Sequence, residues 1–410
     1  MASKAAAKTT EPSFSGLSIN NPDVKAKMDA MAKKFDRQVM HNADDLVQRN
    51  RLPFKQPNLN RATWGGMGFG LVAAFYGDES TGKSRIALEQ IAQLQQLPGS
   101  AEVVLLPRIA YHTAQADNKE LSDRIRRNHE ILAKRLQDEL DWIRKEFPNG
   151  ADAIYYNAEQ QFDKVYAEKI GIDNKKLWIV DSLVIEEIVE IMQNFFEHVP
   201  MHVVDSTSSA SSNLMLKEDV GKSLMAVDAR QWKQCLKGAM TQFDPNRNIA
   251  ILIHQMGTNL RTGGSQPVSS KFLKHTSSLS LRFTRGRFLY NKDGVLVEEL
   301  PAKAAENALA IPEADGIQVF AKVEKSRTCR PHMSAGLQWD YKKLSYLPIH
   351  ELASSGLYYG YIEQKGSWFK VAGEDSNLGQ GLKSVYARLE NDPELCDSIM
   401  VRQMDYTAEM

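Results

Sequence analysis

The sequence is poor in cysteine and has no excess of either charge. Its three cysteines, Cys235, Cys329 and Cys396, lie far apart and form no CxxC pair. That spacing argues against a zinc site and against a secreted fold held by disulfides. Lysine and arginine together number 51, as do aspartate and glutamate, so the formal net charge is zero. This balance argues against a polybasic, histone-like nucleic-acid binder, although a local basic surface remains compatible with it.

Long apolar runs are also missing. No run approaches the ~18 residues that span a bilayer, and the N-terminal MASKAAAKTT lacks the apolar core of a secretory signal. That segment has the composition of a transit peptide, but a disordered tail over residues 1–19 fits it better. We therefore expect a soluble cytoplasmic protein without membrane contact. Its 410 residues suffice for one large domain with smaller units attached.

A helix is predicted after this tail, within an N-terminal helix-and-linker segment at 20–58. Asn21, Pro22 and Asp23 have the residue types of an N-cap, a first helical residue and a first-turn acid. Apolar residues then recur at steps of four and three, namely Val24, Met28, Met31, Phe35 and Val39. This stripe fits docking either on the chain's own domain or on a neighbouring subunit.

Short apolar segments predict a parallel α/β sheet in a core at 59–344. The segments are LVAAFY at 71–76, VVLL at 103–106, AIYYNAE at 153–159, LWIV at 177–180, MHVVDS at 201–206 and IAILIHQ at 249–255. Such runs are typical of strands covered by helices on both faces. A charged helical insert at about 117–147 fits either a solvated decoration or an arm that docks a partner. A small mixed unit is expected at 345–410.

The segment GDESTGKS fits the phosphate-loop pattern G-x-x-x-x-G-K-[ST] between an apolar strand and an amphipathic helix. Backbone N–H groups of such a loop surround phosphates at a helix N-terminus, where the helix dipole favours anions. Lys83 would reach the β- and γ-phosphates, and Ser84 would supply a hydroxyl to Mg²⁺. We therefore predict that a nucleoside triphosphate binds here. The predicted binding residues are Gly77, Asp78, Glu79, Ser80, Thr81, Gly82, Lys83, Ser84 and Arg85.

Two carboxylates at the ends of apolar strands are candidates for the chemistry. Asp205 ends MHVVD, and in phosphate-loop proteins an acid at such a position completes the Mg²⁺ shell. Glu159 ends AIYYNAE, which we expect beside the phosphate-loop strand. From there its carboxylate could orient or deprotonate an attacking water. The alternative for Glu159 is a surface acid at a helix start, where the dipole favours it.

Together these segments resemble the ATPase core of the RecA family of DNA recombinases. The resemblance rests on GDESTGKS, on NAEQQFDKVYAEKIGID at 157–173, and on VVDS and ILIHQ after them. The segment KGSWFKVAGEDSNLGQGLKSVYARLENDPEL at 365–395 is similar to the family's small C-terminal domain. The resemblance extends from about residue 20 to the end, and its low overall identity suggests a divergent, phage-encoded member. The resemblance implies an α/β RecA-like P-loop ATPase core, an N-terminal polymerisation helix and a small α+β C-terminal domain.

The resemblance also implies ATP and Mg²⁺ as cofactors and a role for individual residues. It makes Glu159 the catalytic base, Asp163 and Tyr166 contacts to adenine, and Gln255 a sensor of the γ-phosphate. A buried glutamine bonded for structure alone is the alternative for the last. Lys325 and Arg327 would reach the neighbouring subunit's ATP and make hydrolysis depend on polymerisation. The alternative is that these two are solvated strand-end charges.

Two segments, 208–225 and 256–270, resemble the family's DNA-binding loops. Arg230 and Lys237 match basic residues that face the phosphate backbone, which gives affinity without sequence preference. The predicted DNA-binding residues are Met225, Arg230, Lys237, Met256, Leu260 and Arg261, with Lys217 and Lys222 as further charges. The second loop is shorter than in bacterial relatives and lacks their aromatic residue.

The resemblance implies a DNA-dependent ATPase that forms helical filaments on single-stranded DNA and pairs it with homologous duplex DNA. Recombination, repair or recombination-dependent replication would be its setting, with a loader or mediator and a single-stranded-DNA-binding protein as partners. The shortened second loop keeps a RecA-fold single-stranded-DNA-binding regulator with slow hydrolysis as an alternative. A hexameric helicase of the same superfamily is disfavoured by the RecA-like C-terminal segment.

Overall fold

A computed structural model describes residues 22–35, 49–217, 227–258, 265–267, 276–292, 294–298, 313–374 and 376–405. The chain divides into two compact units, 1–48 and 49–410. The helices are α1 (Pro22–Phe35), α2 (Pro57–Thr63), α3 (Lys83–Gln95), α4 (Gly99–Asp117), α5 (Asp123–Glu146), α6 (Lys164–Lys169), α7 (Ile185–Phe195), α8 (Asn213–Lys217), α9 (Val227–Ala239), α10 (Pro348–Tyr359), α11 (Gly381–Asn391) and α12 (Pro393–Met404). None of them, within the described ranges, is long and apolar enough to cross a bilayer.

The strands, in chain order, form three sheets. They are β1 (Arg51–Leu52), β2 (Met67–Gly68), β3 (Leu71–Gly77), β4 (Ala153–Asn157), β5 (Leu177–Val180), β6 (Met201–Asp205), β7 (Ile249–Thr258), β8 (Ser265–Pro267), β9 (Leu279–Lys292), β10 (Val295–Val297), β11 (Gly316–Ser326), β12 (Ser334–Asp340), β13 (Ser345–Tyr346), β14 (Ile362–Lys365), β15 (Trp368–Val371) and β16 (Asn377–Gln380).

Helix α1 lies in the first unit and agrees with the helix predicted there. It begins at Pro22, where the missing N–H of proline costs no intrahelical hydrogen bond. Of the predicted apolar stripe, Met28 is half-buried and Met31 is exposed. Val39 lies outside the described residues.

The second unit is built on a sheet whose strand order is β13-β12-β11-β9-β3-β7-β6-β4-β5. The segment from β9 to β5 is parallel, and β11, β12 and β13 continue from β9 in antiparallel fashion. Every residue of β3, β4 and β6 is buried, as expected for parallel strands with helices on both faces. The sequence therefore predicted these strands correctly.

Two sequence-based expectations about this sheet were wrong. The segment VVLL is not a strand but part of helix α4, where Val104 and Leu105 are buried while Val103 and Leu106 are exposed. A short apolar run does not distinguish a strand from a partly buried helix. In addition, β4 does not lie beside β3, because β7 and β6 stand between them.

Helices α4 and α5 form a hairpin between β3 and β4. Helix α5 covers most of the predicted insert, starts after Ser122, whose hydroxyl accepts from Ile125 N, and ends before Pro148. Its inward face packs on the core through residues such as Leu140 and Ile143, while most of its other side chains are exposed or half-buried. The hairpin is therefore amphipathic, with one face on the domain and the other in solvent.

The C-terminal part folds as a small α+β unit. Strands β14, β15 and β16 form an antiparallel sheet that packs with α10, α11 and α12 around a core containing Ile362, Phe369 and Val385. Asp405, just past α12, accepts hydrogen bonds from Arg108 of α4 at 2.6 and 2.7 Å. A buried ion pair therefore ties the end of this unit to the helical hairpin.

Candidate nucleotide-binding site

A cavity of about 300 Å³ lies where β3, β4 and β6 end. In open α/β sheets, ligands bind at this carboxyl edge of the strands. The lining residues come from the predicted phosphate loop, from the segment after β4, and from the end of β6. They are Ser80, Thr81, Gly82, Lys83, Ser84, Arg85, Leu88, Tyr155, Asn157, Glu159, Gln161, Phe162, Asp163, Tyr166 and Asp205.

The phosphate loop requires glycine at both of its glycine positions. Gly77, the last residue of β3, has φ +149°, and a Cβ there would stand 2.0 Å from the carbonyl oxygen of Phe283 on β9. Gly82 caps α3 with φ +80°, and a Cβ there would stand 2.1 Å from the Tyr346 hydroxyl. Both positions combine a left-handed backbone with a close neighbour, so only glycine fits without strain.

Lys83 is buried at the first turn of α3. Its ammonium donates to the carbonyl oxygens of Gly77 and Asp78, at 3.0 and 2.6 Å. Burial lowers the pKa of Lys83, and the negative charges of Asp205 and Glu159 oppose that shift. An ammonium has three N–H donors, so two described bonds to its own loop leave one donor for a ligand.

Asp205 lies at the end of β6, where its carboxylate reaches the same cavity. Its Oδ2 accepts from the Tyr155 hydroxyl at 2.6 Å, while its buried Oδ1 has no hydrogen-bond partner among the described residues. Burial raises the pKa of Asp205, and the hydroxyls of Ser84 and Tyr155 act in the opposite direction. A buried carboxylate oxygen beside a serine hydroxyl is the oxygen-rich pairing that Mg²⁺ prefers.

Glu159 and Gln255 are brought into direct contact although β4 and β7 are not neighbours. Gln255 Nε2 donates to Glu159 Oε1 at 3.0 Å. Gln255 itself is the residue opposite Gly77 in the parallel pairing of β3 with β7. The backbone holds the pair, since Glu159 N donates to Asp205 O at 3.1 Å and Gln255 N donates to Ser208 Oγ at 3.0 Å.

The residues predicted to contact adenine lie on one side of the cavity. Asp163 Oδ1 caps α6 by accepting from Val165 N and Tyr166 N, at 2.8 and 3.0 Å. The Arg85 guanidinium lies 5.2 Å from the Tyr166 ring centroid and 5.2 Å from that of Trp339. Cation–π contact on both sides fixes Arg85 at the edge of the cavity.

Other predicted site residues lie elsewhere. Asp78 and Glu79 belong to the loop but not to the lining of the cavity. Lys325 donates to Ser277 O at 2.6 Å, and Arg327 is exposed. Lys325 lies at the end of β11 and Arg327 directly follows that strand. The last residue of β11, Ser326, pairs with Leu279 of β9, which pairs with Ala73 near the start of β3. They therefore lie toward the opposite end of the sheet from the phosphate loop.

The predicted DNA-binding residues are only partly described. Arg230 and Lys237 are exposed on helix α9, and Met256 is half-buried on β7. Met225, Leu260 and Arg261 lie outside the described residues, as does Lys222. Of the predicted set, the structure therefore places two cations on one helix face.

Sequence reasoning missed Tyr155 and Asn157, which line the cavity with Glu159. The signal was available, because side chains two apart in a strand point to the same face. Asn157 also organises the segment after β4, since its Oδ1 accepts from Gln161 N and Phe162 N. Its Nδ2 donates to Asp181 at 2.8 Å.

Two protein-family models match the chain, one described as the RecA N-terminal domain at 139–320 and one as the RecA C-terminal domain at 351–404. The chain belongs to the RecA family. Among curated relatives, a protein RecA from Bacteroides thetaiotaomicron is 22% identical over 92% of this chain and 94% of its own length. One from Macrococcus caseolyticus is 23% identical, covering 90% and 86%, and one from Thermus aquaticus is 26% identical, covering 62% and 71%.

This member of the RecA family is divergent. The N-terminal-domain match begins at residue 139, within helix α5, and so leaves the phosphate loop outside it. Helix α4 and most of helix α5 stand between that loop and the matched segment. The cavity nevertheless combines residues from both sides of the hairpin.

Proposed function

We propose that this protein is an ATP-dependent DNA recombinase, which binds single-stranded DNA as a filament and pairs it with homologous duplex DNA. The observation that carries the proposal is the single cavity that joins the phosphate loop, Asp205 and Glu159 in a chain of the RecA family. The phosphate loop alone would support any nucleotide-binding role. The Glu159–Gln255 contact adds a carboxylate suited to act on water and a neighbour able to respond to the nucleotide.

ATP and Mg²⁺ fit the residues present. The backbone of residues 77–85 and Lys83 would hold the phosphates, with Asp163 and Tyr166 against the adenine. Ser84 and Asp205 would hold Mg²⁺, which when bound neutralises phosphate charge. Support comes from the buried Asp205 Oδ1, which has no hydrogen-bond partner among the described residues. Desolvation makes such an atom costly unless a cation or donor satisfies it.

Glu159 is the proposed general base. Its Oε1 accepts a hydrogen bond from Gln255 Nε2. Its second oxygen, which makes no hydrogen bond within the described part of the chain, is the proposed acceptor of a proton from water. Removing a proton in this way typically contributes 10²–10⁴-fold to the rate. Because Gln255 bonds this same carboxylate, a change at Gln255 would alter the orientation of the base.

Lys325 and Arg327 are proposed to act on a neighbouring subunit's nucleotide. Both lie away from this chain's own cavity, toward the other end of the sheet. Cations supplied from a second subunit stabilise charge in phosphoryl transfer and can increase its rate ~10³-fold or more. ATP hydrolysis would then depend on assembly of the filament. A phage origin, a loader protein and a cytoplasmic location remain predictions.

The test is ATP hydrolysis measured with and without single-stranded DNA over a range of protein concentrations. We expect stimulation by DNA that rises cooperatively with protein concentration, because the active site is completed by a neighbour. In the same assay Arg327→Ala should lose most DNA-stimulated turnover but keep the ATP affinity of the unassembled protein. Arg330→Ala, an exposed arginine three residues away, is the matched control.

Three outcomes would each contradict a different part of the proposal. Hydrolysis indifferent to DNA would favour the single-stranded-DNA-binding regulator. Hydrolysis that rises only in proportion to protein concentration would show that no neighbouring subunit contributes to the active site. Equal losses of turnover and ATP affinity in Arg327→Ala would place Arg327 in its own subunit's pocket.

A further inference from the structure

Helix α9 has one face in solvent and one face in the core. Arg230 and Lys237 are exposed, whereas Trp232 and Leu236 are buried against the sheet and α7. Trp232 is only 1% exposed and is among the largest fully buried side chains. The proposed DNA-contacting cations and this indole therefore lie on one helix of 13 residues.

The Trp232 indole makes a specific polar contact in this core. Its Nε1 donates to the carbonyl oxygen of Thr207 at 3.0 Å. A buried indole N–H requires an acceptor, so its bond fixes the distance between α9 and the turn after β6. Thr207 is itself anchored to β7, because its N–H donates to Ile253 O at 2.9 Å.

The turn that contains Thr207 also holds both members of the proposed hydrolytic pair. One residue before the turn, Asp205 O accepts the N–H of Glu159. One residue after Thr207, Ser208 Oγ accepts the N–H of Gln255. A displacement of this turn would therefore change the backbone positions of Glu159 and Gln255 together.

We propose that Trp232 is a positioning residue that links the position of helix α9 to the Glu159–Gln255 pair through its bond to Thr207. The inference rests on the proposed function, in which DNA phosphates bind Arg230 and Lys237. Phosphates that pull on the exposed face of α9 move the indole with the helix, and the indole moves the turn. A core tryptophan without this role would affect stability and leave the response to DNA unchanged.

The test compares Trp232→Phe with Trp178→Phe. The first keeps an aromatic ring and removes the N–H donor. The second changes Trp178, an exposed residue of strand β5. It removes an indole N–H that donates to Asp152 at 3.2 Å. ATP hydrolysis is measured against single-stranded DNA concentration, with DNA affinity from anisotropy and ATP affinity from a fluorescent ATP analogue.

We expect Trp232→Phe to keep its ATP affinity, DNA affinity and DNA-free hydrolysis. Its DNA-stimulated kcat should fall ~10-fold, within the range of measured couplings between sites, without a change in the KM for ATP. Trp178→Phe should behave as the unsubstituted protein. Full stimulation in Trp232→Phe would overturn the inference while leaving the recombinase proposal intact. An unsubstituted protein that DNA does not stimulate would instead overturn the proposed function.

Hydrogen–deuterium exchange on the unsubstituted protein tests the same link in reverse and does not depend on how Trp232→Phe folds. In the proposed function Gln255 responds to the nucleotide, and the turn at Ser208 and Thr207 joins Gln255 to the Trp232 indole. A non-hydrolysable ATP analogue with Mg²⁺ and no DNA should therefore slow exchange in residues 227–239. Residues 393–404, helix α12, serve as the internal reference. Unchanged exchange in 227–239, with the analogue demonstrably bound, would overturn the link.

Discussion

At the scale of single residues, burial disfavours the charged forms of two groups in the candidate nucleotide site. Burial lowers the pKa of Lys83 and raises that of Asp205, so each group is pushed toward its neutral form. Their mutual attraction opposes both shifts. A ligand that brings anionic phosphate to Lys83 and a cation to Asp205 stabilises the charged form of each. Nucleotide and metal should therefore bind cooperatively.

Glu159→Gln isolates the proposed base. It keeps the size of the side chain but cannot accept a proton, so we expect hydrolysis to fall ~10²–10⁴-fold with ATP affinity nearly unchanged. Single-turnover hydrolysis and nucleotide titration give the two quantities. Glu146→Gln, at the exposed end of α5, is the control. Normal hydrolysis in Glu159→Gln would mean that another group serves as base.

Gly82→Ala tests the geometry of the phosphate loop. An alanine there must adopt φ +80° and must displace the Tyr346 hydroxyl, so ATP affinity should fall ~10-fold, equal to about 1.4 kcal/mol. Gly360→Ala is the matched control, because Gly360 has φ +77° with no atom within 4 Å. It should cost about 1 kcal/mol of stability without affecting ATP binding. Equal ATP affinities for the two variants would show that the close contact is unimportant.

At the scale of helices and strands, the described edge of the nucleotide site was largely predictable. A phosphate loop must join a strand to a helix, and acids at strand ends share an edge in a parallel sheet. Strand order was not predictable, because neighbours in a parallel sheet need not be neighbours in sequence. Part of helix α4 was wrongly predicted as a strand. The run from Val103 to Leu106 contains too few residues to distinguish helical from strand periodicity.

The attachment of the C-terminal unit to α4 depends on contacts that no local pattern reveals. Asp405 and Arg108 are nearly 300 residues apart, and both are buried. Burial alone would raise the pKa of Asp405, but the charge and hydrogen bonds of Arg108, together with His112, hold it well below its usual range. The carboxylate is therefore ionised and paired in the folded protein.

Asp405→Asn removes this charge and leaves Arg108 buried without its counter-ion. Breaking a buried pair in this way costs about 3–5 kcal/mol, so we expect a loss of that order in the free energy of unfolding. Glu363→Gln, which breaks the exposed pair with Lys370, should cost less than about 1 kcal/mol. Urea denaturation of both variants measures the difference. Similar values for the two would show that Arg108 finds another partner.

At the scale of the whole molecule, three buried histidines should make stability depend on pH. Burial lowers the pKa of His202 and of His350 to about 4 and that of His254 to about 3, whereas an unfolded histidine titrates near 6.5. The unfolded chain therefore binds more protons than the folded chain as pH falls below about 6.5. The free energy of unfolding should decrease accordingly, by about 2 kcal/mol for each histidine at pH 5.

Denaturant unfolding between pH 7 and pH 5 measures this dependence before most carboxylates titrate. A decrease that begins near pH 6.5 and continues to pH 5 is the expected result. A free energy of unfolding that stays constant over this interval would mean that these histidines become protonated without unfolding.

Lys83, Glu159 and Asp205 line the cavity, and Gln255 contacts Glu159 at the edge to which the parallel register of the sheet brings all four. A ribosome makes these residues in that order, and β7 is the last of the strands needed to hold Gln255 against Glu159. Nucleotide stabilises only the state that binds it. The nucleotide proposed to bind here therefore cannot protect the nascent chain from misfolding or proteolysis until β7 has left the exit tunnel. Translation pauses before that point prolong the vulnerable period.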